Sequence, residues 1–358
     1  MQAKTKHIGI MILAVVIFPL LVASCDWIKE DLPECPPTEL RLRFVYDYNV
    51  MQADVFKDHV GAVRVYVFDK DDKLVMTKEE TSQKALQTYG YEMTITGDEL
   101  PEGDYRLVTV AFQSPAAMAA AGDGAKFRIA AMSPGDPISK LNISLDSNLL
   151  ADGRRYVVNA GNPLDTLWMN ISDNRVKMQT RQSAHATVNL MRDTKNLNVT
   201  LRQLTEPETI DCADYEVTVS DHNGLLNYDN TPLGAEEIIY APYATWNTEY
   251  RLTDGTLGDR AAHASLSLSR LIYNADWQQN ARLQIRNRKT GVTVADINLP
   301  EYLQSGRSAL EKLYGEQEFL DREYDYKLDF FLKGDTWTYV DISISVLGWK
   351  VRVQNVDL

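Results

Sequence analysis

The sequence predicts a mainly-β protein built as two β-sandwich units behind an export signal. Three observations carry this reading. Apolar and polar residues alternate over short runs, turn-forming clusters separate the runs, and helical periodicity is confined to one late segment. Short strands joined by turns read as sandwiches rather than as alternating βα units.

The chain opens with Lys4 and Lys6, followed by an apolar stretch from Ile8 to Val22 broken by Gly9 and Pro19. A basic start, a short apolar region and small residues before a cut describe a secretory signal. A membrane-spanning helix wants about 20 apolar residues and a basic far flank. The flank here is Asp26, Lys29, Glu30 and Asp31, which is mostly acidic. Val22-Ala23-Ser24-Cys25 resembles a bacterial lipobox. That resemblance implies cleavage after Ser24 and diacylglycerol on the Cys25 thiol. Residues 1–24 are then the signal peptide and 25–37 a lipidated linker. One acyl chain binds a bilayer only marginally, with K of about 10⁴ M⁻¹, whereas two or more give a stable anchor. Lys29-Glu30-Asp31 resembles the export signal of Bacteroidales surface lipoproteins, which points to the outer face of the outer membrane.

The 358 residues carry a net charge of −13, and the signal contributes two lysines and no acid. Removing its 24 residues leaves 334 with a charge of −15. Such a surface repels nucleic acid and anionic lipid, so the bond to the membrane has to be the lipid itself. The remaining length suits two domains, expected at 38–170 and 171–358. Cys35 and Cys212 remain once Cys25 is acylated. An exported chain can pair them, but spacing alone does not establish the geometry, so a bridge and two separate thiols both stay open.

The first strand places Leu40, Leu42, Phe44, Tyr46 and Tyr48 on one face and Arg41, Arg43 and Asp47 on the other. Residues 63–68 form the next strand, which turns at Asp69-Lys70-Asp71-Asp72-Lys73 into 74–76. Strands follow at 91–96, at 105–112 after the turn Pro101-Glu102-Gly103-Asp104, and at 140–145. Residues 114–124 suit a short helix or a loop, and 164–182 a passage between domains. A second set comprises 185–191, 197–202, 215–220, 264–273 and 281–286, with a hairpin turn at 287–291 leading into 292–299. Leu303, Leu310, Leu313 and Tyr314 fall near helical spacing within 302–320. Strands at 324–332 and 339–347 precede an alternating segment, 350–358.

Catalytic patterns are not legible. His59, His185, His222 and His263 are scattered, with no HExxH and no metal-ligand spacing. No GxSxG elbow, Walker loop or GxGxxG occurs. An enzyme, a metal and a cofactor are therefore not expected. The aspartate-rich stretches 69–72 and 221–229 lack the ligand ladder of an EF-hand and read as solvated turns. The 18 tyrosines and six tryptophans would suit sugar stacking, although strand aromatics more often serve a core. A carbohydrate-binding surface lipoprotein is thus the alternative reading. Other small-molecule ligands are not expected.

Several segments together resemble the FimB-type fimbrial anchor lipoprotein family of type V fimbriae. They are the lipobox, Asp31-Leu32-Pro33-Glu34-Cys35-Pro36, and Leu42-Arg43-Phe44-Val45-Tyr46-Asp47-Tyr48-Asn49. Val65-Tyr66-Val67-Phe68-Asp69, Gly103-Asp104-Tyr105, Asp221-His222-Asn223-Gly224 and Gly348-Trp349-Lys350-Val351-Arg352 also fit. The resemblance implies two transthyretin-like Greek-key β-sandwich domains with one or two short helices, at the base of a fimbria. It implies a fimbrial stalk subunit as partner, joined by β-strand exchange. Stalk subunits of this type lose their first strand to an arginine-specific protease, whereas an anchor keeps its own and ends elongation. Residues 25–40 contain no arginine, and Arg41 and Arg43 fall inside the first strand. The candidate partner-binding residues are Trp349, Val351, Val353 and Val356. Their strand could be donated to a partner or could complete its own sandwich.

Overall fold

The computed structural model describes residues 36–358 except 235, 308–309, 311–312, 345–349 and 356–358. Alternation in β1 (Glu39–Val45) buries Leu40, Leu42 and Phe44 and exposes Arg41 and Arg43. The chain continues through α1 (Phe56–His59), β2 (Ala62–Phe68), β3 (Leu74–Glu80), α2 (Gln83–Leu86), β4 (Glu92–Thr96) and β5 (Gly103–Phe112). Next come α3 (Pro115–Met118), β6 (Phe127–Ile129), β7 (Asn142–Leu145), β8 (Asn148–Leu149) and β9 (Arg155–Tyr156). Then follow β10 (Leu167–Asn170), β11 (Asn174–Met178), β12 (Ser183–Arg192), β13 (Lys195–Gln203), β14 (Tyr215–Asp221), β15 (Leu225–Asn227) and β16 (Ile238–Tyr240). A hairpin of β17 (Ala244–Arg251), mostly exposed, and β18 (Leu257–Leu268), more than half of it buried, leads to β19 (Arg282–Asn287) and β20 (Thr293–Asn298). Helices α4 (Leu299–Ser305) and α5 (Glu316–Arg322) precede β21 (Asp325–Lys333), β22 (Thr336–Ile344) and β23 (Lys350–Gln354).

The protein is mainly β, as the sequence predicts, with 47% of residues in strands. An eight-stranded sheet runs β3-β2-β5-β10-β12-β1-β4, with β11 also paired to β5. Two six-stranded sheets run β17-β18-β13-β21-β22-β23 and β20-β19-β14-β16-β9-β8, and a three-stranded sheet runs β15-β7-β6.

Strand β2 shows how the layers stack. Val63, Val65 and Val67 face a core shared with β1, β4 and β12. Ala62, Tyr66 and Phe68 face a second core, which extends through β7 to β13, β14, β18 and β21. A strand covered on both faces needs an almost unbroken apolar run, and AVRVYVF supplies one. Strand β5 is used the same way, with Leu107 and Ala111 on one side and Val108, Val110 and Phe112 on the other.

Several expectations are corrected. The strand expected to open the second unit, 185–191, is part of β12 and pairs in parallel with β1, Phe44 opposite Val188. Conversely, β7 pairs with β15 and β9 with β16. The sheets therefore do not part at residues 170 and 171. Parallel partners require a long connection, and such non-local pairing leaves no local trace in sequence. Tyr48 lies beyond the end of β1 and is half-buried beneath Arg322, whose Cζ is 3.9 Å from its ring centroid. The single late helix is two short ones, because Gly306 closes α4 and Gly315 opens α5. Leu303 is buried and Leu313 exposed accordingly. Five short α-helices are present among the described residues rather than one or two. Strand β17 was not anticipated: most of its residues are exposed, so it lacks the apolar alternation that marks a core strand.

Candidate functional site

The described chain begins shortly before β1, so Ser24, Cys25 and Cys35 lie outside the described residues. Strand β1 itself is held on both sides. It pairs in parallel with β12 from Glu39 to Val45 and antiparallel with β4 from Glu39 to Arg43. Ser183 Oγ and Arg41 Nε both donate to Glu39 Oε1 at 2.8 Å. These two donors hold the Glu39 carboxyl below its ordinary range. The slot of the first strand is filled by the chain's own residues.

The last strand is held differently. Among the described residues strand β23 pairs only with β22, Val351 opposite Ile342 and Val353 opposite Val340, and it forms one edge of its sheet. Val351 and Val353 are half-buried. Arg352 donates to both carboxylate oxygens of Asp341, at 2.7 and 2.9 Å, and lies 4.1 Å over the Tyr339 ring. Trp349 and Val356 lie outside the described residues. The other edge of the same sheet is β17. There Trp246 stacks on His263 at 5.0 Å, and the imidazole bridges Thr200 and Thr248. Burial lowers the His263 pKa.

Between the first sheet and the later ones lies a buried ionic cluster that sequence reasoning missed. Arg192 and Asp193 follow the apolar part of β12, and Lys195 opens β13. Lys195 is fully buried, and its ammonium donates to the backbone oxygens of Asp321 and Glu323, both at 2.9 Å. Arg270 makes two 2.9 Å bonds to the Asp321 carboxylate. Asn230 Nδ2 donates to Asp193 Oδ1 at 2.7 Å. Arg192 donates to Thr194 O and covers the Tyr324 ring at 4.2 Å. Burial pushes the Asp193 carboxyl up and the Lys195 ammonium down. A buried charge set persists only where partners offset desolvation, so this cluster fixes α5 and β21 against the end of β12. Its only sequence signal is Arg192-Asp193-Thr194-Lys195 interrupting two apolar alternations.

The aspartate-rich stretches also divide. At 69–72 the solvated turn is present: Asp69 Oδ1 accepts from the backbone nitrogens of Asp71 and Lys73, each at 2.9 Å. At 221–229 the expectation is corrected, since Asp221 is 8% exposed and Asn223 2%. The Tyr240 hydroxyl donates to Asn223 Oδ1 at 2.6 Å, and Asn223 Nδ2 donates to Arg270 O at 2.9 Å. Burial pushes the Asp221 carboxyl up to about 7. The period-two pattern of β14, with Tyr215, Val217 and Val219 inward, carries Asp221 inward too. Cys212 is half-buried and bonded to no described cysteine, and Cys35 lies outside the described residues. Among the described residues no group of three or more His, Cys, Asp or Glu could hold a metal ion, and no helix is long and apolar enough to cross a membrane.

Stacked, mostly antiparallel sheets joined by a buried ionic cluster define a mainly-β protein in which, among the described residues, β17 and β23 form the two edges of one sheet. Residues 32–355 match the family of fimbrillin-A associated anchor proteins Mfa1 and Mfa2, and the chain belongs to that family. A proposed adhesin from Bacteroides thetaiotaomicron is 27% identical with a TM-score of 0.73, covering 90% of this chain and 100% of its own. A second Bacteroides thetaiotaomicron structure, of a protein proposed to bind polysaccharide, is 28% identical with a TM-score of 0.69, covering 89% and 99%. The fimbrial anchor protein Mfa2 of Porphyromonas gingivalis shares the fold, at 18% identity and a TM-score of 0.61, covering 88% and 98%. No curated protein matches the chain. The resemblance to fimbrial anchors read from the residues thus holds. Membership gives a role in fimbrial anchoring or assembly at the cell surface, in association with fimbrial subunits. The family is structural and not known as enzymatic.

Proposed function

We propose that this protein anchors a type V fimbria to the outer membrane through lipid on Cys25 and ends its elongation. The observation that carries the proposal is the placement of β1. It is retained between β12 and β4, and residues 25–40 ahead of its apolar core contain no arginine. A protease that cuts after arginine therefore has no site between the lipid and the strand. Arg41 and Arg43 are exposed as side chains, but their backbone is paired on both sides, which leaves a protease no free backbone groups to bind. With its own first strand in place, the chain has no vacant groove there for a further donated strand. Elongation stops.

The stalk subunit is joined, in this proposal, at the β23 edge. Among the described residues that strand has one partner, and its two valines are half-buried, so a neighbour can pair with it or receive it at modest cost. Phase partitioning tests the membrane half. Cys25→Ala is expected to leave the detergent phase, and its persistence there would remove the lipid anchor from the proposal. Counting cell-bound and shed fimbriae after deletion of residues 350–358 tests the other half.

A second reading, saccharide binding at the cell surface, is supported by the relative proposed to bind polysaccharide, which aligns over 89% of this chain. It is compatible with anchoring, since the two functions would use different surfaces.

A further inference from the structure

We infer that β17 is a strand-pairing edge that takes up β17 of a second copy of this chain, antiparallel and centred on Thr248. The inference goes beyond the proposed anchoring and depends on neither the lipid nor the stalk. Strand β17 pairs with β18 alone among the described residues and leaves six of its eight residues exposed. An exposed edge presents a row of unpaired backbone N–H and C=O groups, which proteins ordinarily blunt with proline, lysine, a bulge or shortness.

Apart from β23, the other edges among the described residues carry those devices, and β17 does not. Strands β6, β8 and β15 have two or three residues each, and β4 and β11 have five. Strand β3 ends in Lys78-Glu79-Glu80, and β20 is bulged against β19 at Val294. In β17 there is neither proline nor lysine. The one irregularity of its hairpin puts the extra residue, Gly258, on β18 and leaves β17 regular. The charge that could repel a neighbour is also neutralised from within, since Glu249 accepts from Arg260 at 2.6 Å and from Arg251 at 2.8 Å.

What fits this edge is set by its own order of side chains. Trp246, Thr248 and Tyr250 share one face. Trp246 is 43% exposed despite stacking on His263, and Tyr250 is 65% exposed. Turned antiparallel against itself about Thr248, the strand sets Trp246 opposite Tyr250, Thr248 opposite Thr248, Asn247 opposite Glu249 and Thr245 opposite Arg251. Aromatic pairs and threonine pairs are favourable cross-strand neighbours, and no like charges stand opposite each other. Neighbouring registers lose this match. Centring on Glu249 would put Glu249 against Glu249, and centring on Asn247 would leave Tyr250 against Ala244. Pairing residues 245–251 with their counterparts gives about six to eight backbone hydrogen bonds between copies. The two six-stranded sheets then become continuous. A two-fold contact uses the same patch on both copies and closes, so pairing stops at two.

Disulfide trapping in the full-length protein tests both the pairing and its register. Two differently tagged copies are co-expressed, purified in detergent, oxidised and captured by one tag, and the other tag is probed on a non-reducing gel. Directly opposed residues have Cα atoms about 4.5–5.5 Å apart, within disulfide range. Thr248→Cys is therefore expected to give a reducible dimer well above the wild-type level set by Cys35 and Cys212. Thr245 is also exposed but stands opposite Arg251, so its own counterpart lies about 20 Å along the strand. Thr245→Cys should stay at the wild-type level. Tyr250→Lys, added to Thr248→Cys, removes both Trp246–Tyr250 pairs at once and should cut the trapped dimer about tenfold. All three positions are exposed, so the variants should melt like the wild type. No dimer at Thr248, equal trapping at Thr245 and Thr248, or indifference to Tyr250→Lys would each overturn the inference. A photocrosslinker placed at Tyr250 in fimbriated cells decides between occupants. Capture of a second copy supports the inference, and capture of a stalk subunit in its place overturns it.

Discussion

The first and last strands of the described chain look alike in sequence and are used in opposite ways. ELRLRFV in β1 and KVRVQ in β23 both alternate apolar and basic or polar residues. Strand β1 lies inside its sheet with a partner on each side, and Leu40 and Leu42 are fully buried. Strand β23 lies at an edge, with one partner among the described residues, and its valines are half-buried. Alternation reports which face of a strand meets the core. It does not report how many neighbours the backbone has, because that is settled by segments far away in sequence. Under the proposed function the difference matters, because an inner strand resists removal whereas an edge strand is open to a partner.

The largest expected effect lies in the inner strand. Phe44→Ala removes a ring that stacks on Phe56 at 5.7 Å in the first core. It should cost about 3–5 kcal/mol in a denaturant melt, as for other large core truncations. Deleting residues 350–358 should cost less than that single substitution. Burying a valine fully contributes about 1.5–3 kcal/mol, and Val351 and Val353 are only partly covered, so a loss of about 1–3 kcal/mol is expected in total. Circular dichroism melting of the two variants side by side checks the ranking. A truncation as damaging as Phe44→Ala would mean that the last strand is as integral as the first. The truncated protein should also shed fimbriae into the medium, and full retention would move the joint to another edge, with β17 the remaining one in that sheet.

Smaller effects sharpen the same contrast. Val353→Ala should lose about 1 kcal/mol, within the range for trimming a partly buried aliphatic chain. Arg43→Ala, on the exposed face of β1, should fall within about 0.5 kcal/mol of wild type. If Arg43→Ala approached the loss at Phe44, the faces of β1 would have to be exchanged.

Much of this was legible before any coordinates. The inward face of Leu40, Leu42, Phe44 and Tyr46 follows from period-two alternation, and all four are buried. The strand at β2 was legible as well, although its burial on both faces, which the dense apolar run AVRVYVF accommodates, became clear only in the fold. The fimbrial anchor family could be read from short segments spread along the chain. Other features were not legible. The exposed strand β17 has no apolar face to reveal it. Asp221 looks like a turn residue, and only its place as the last inward position of β14 shows that it is buried.

The sequence by itself determined the strand faces, the β class and the family, because these depend on local periodicity and on residues adjacent in the chain. Tertiary structure alone decided that β12 closes the first sheet beside β1. It alone decided that Lys195 and Arg270 meet Asp321, and that Asp221 is buried at the end of β14 with one carboxylate oxygen unpaired among the described residues. The physical reason is common to all three. Burial of a polar group and parallel pairing of strands depend on partners tens to more than a hundred positions away, and no local pattern encodes who those partners are.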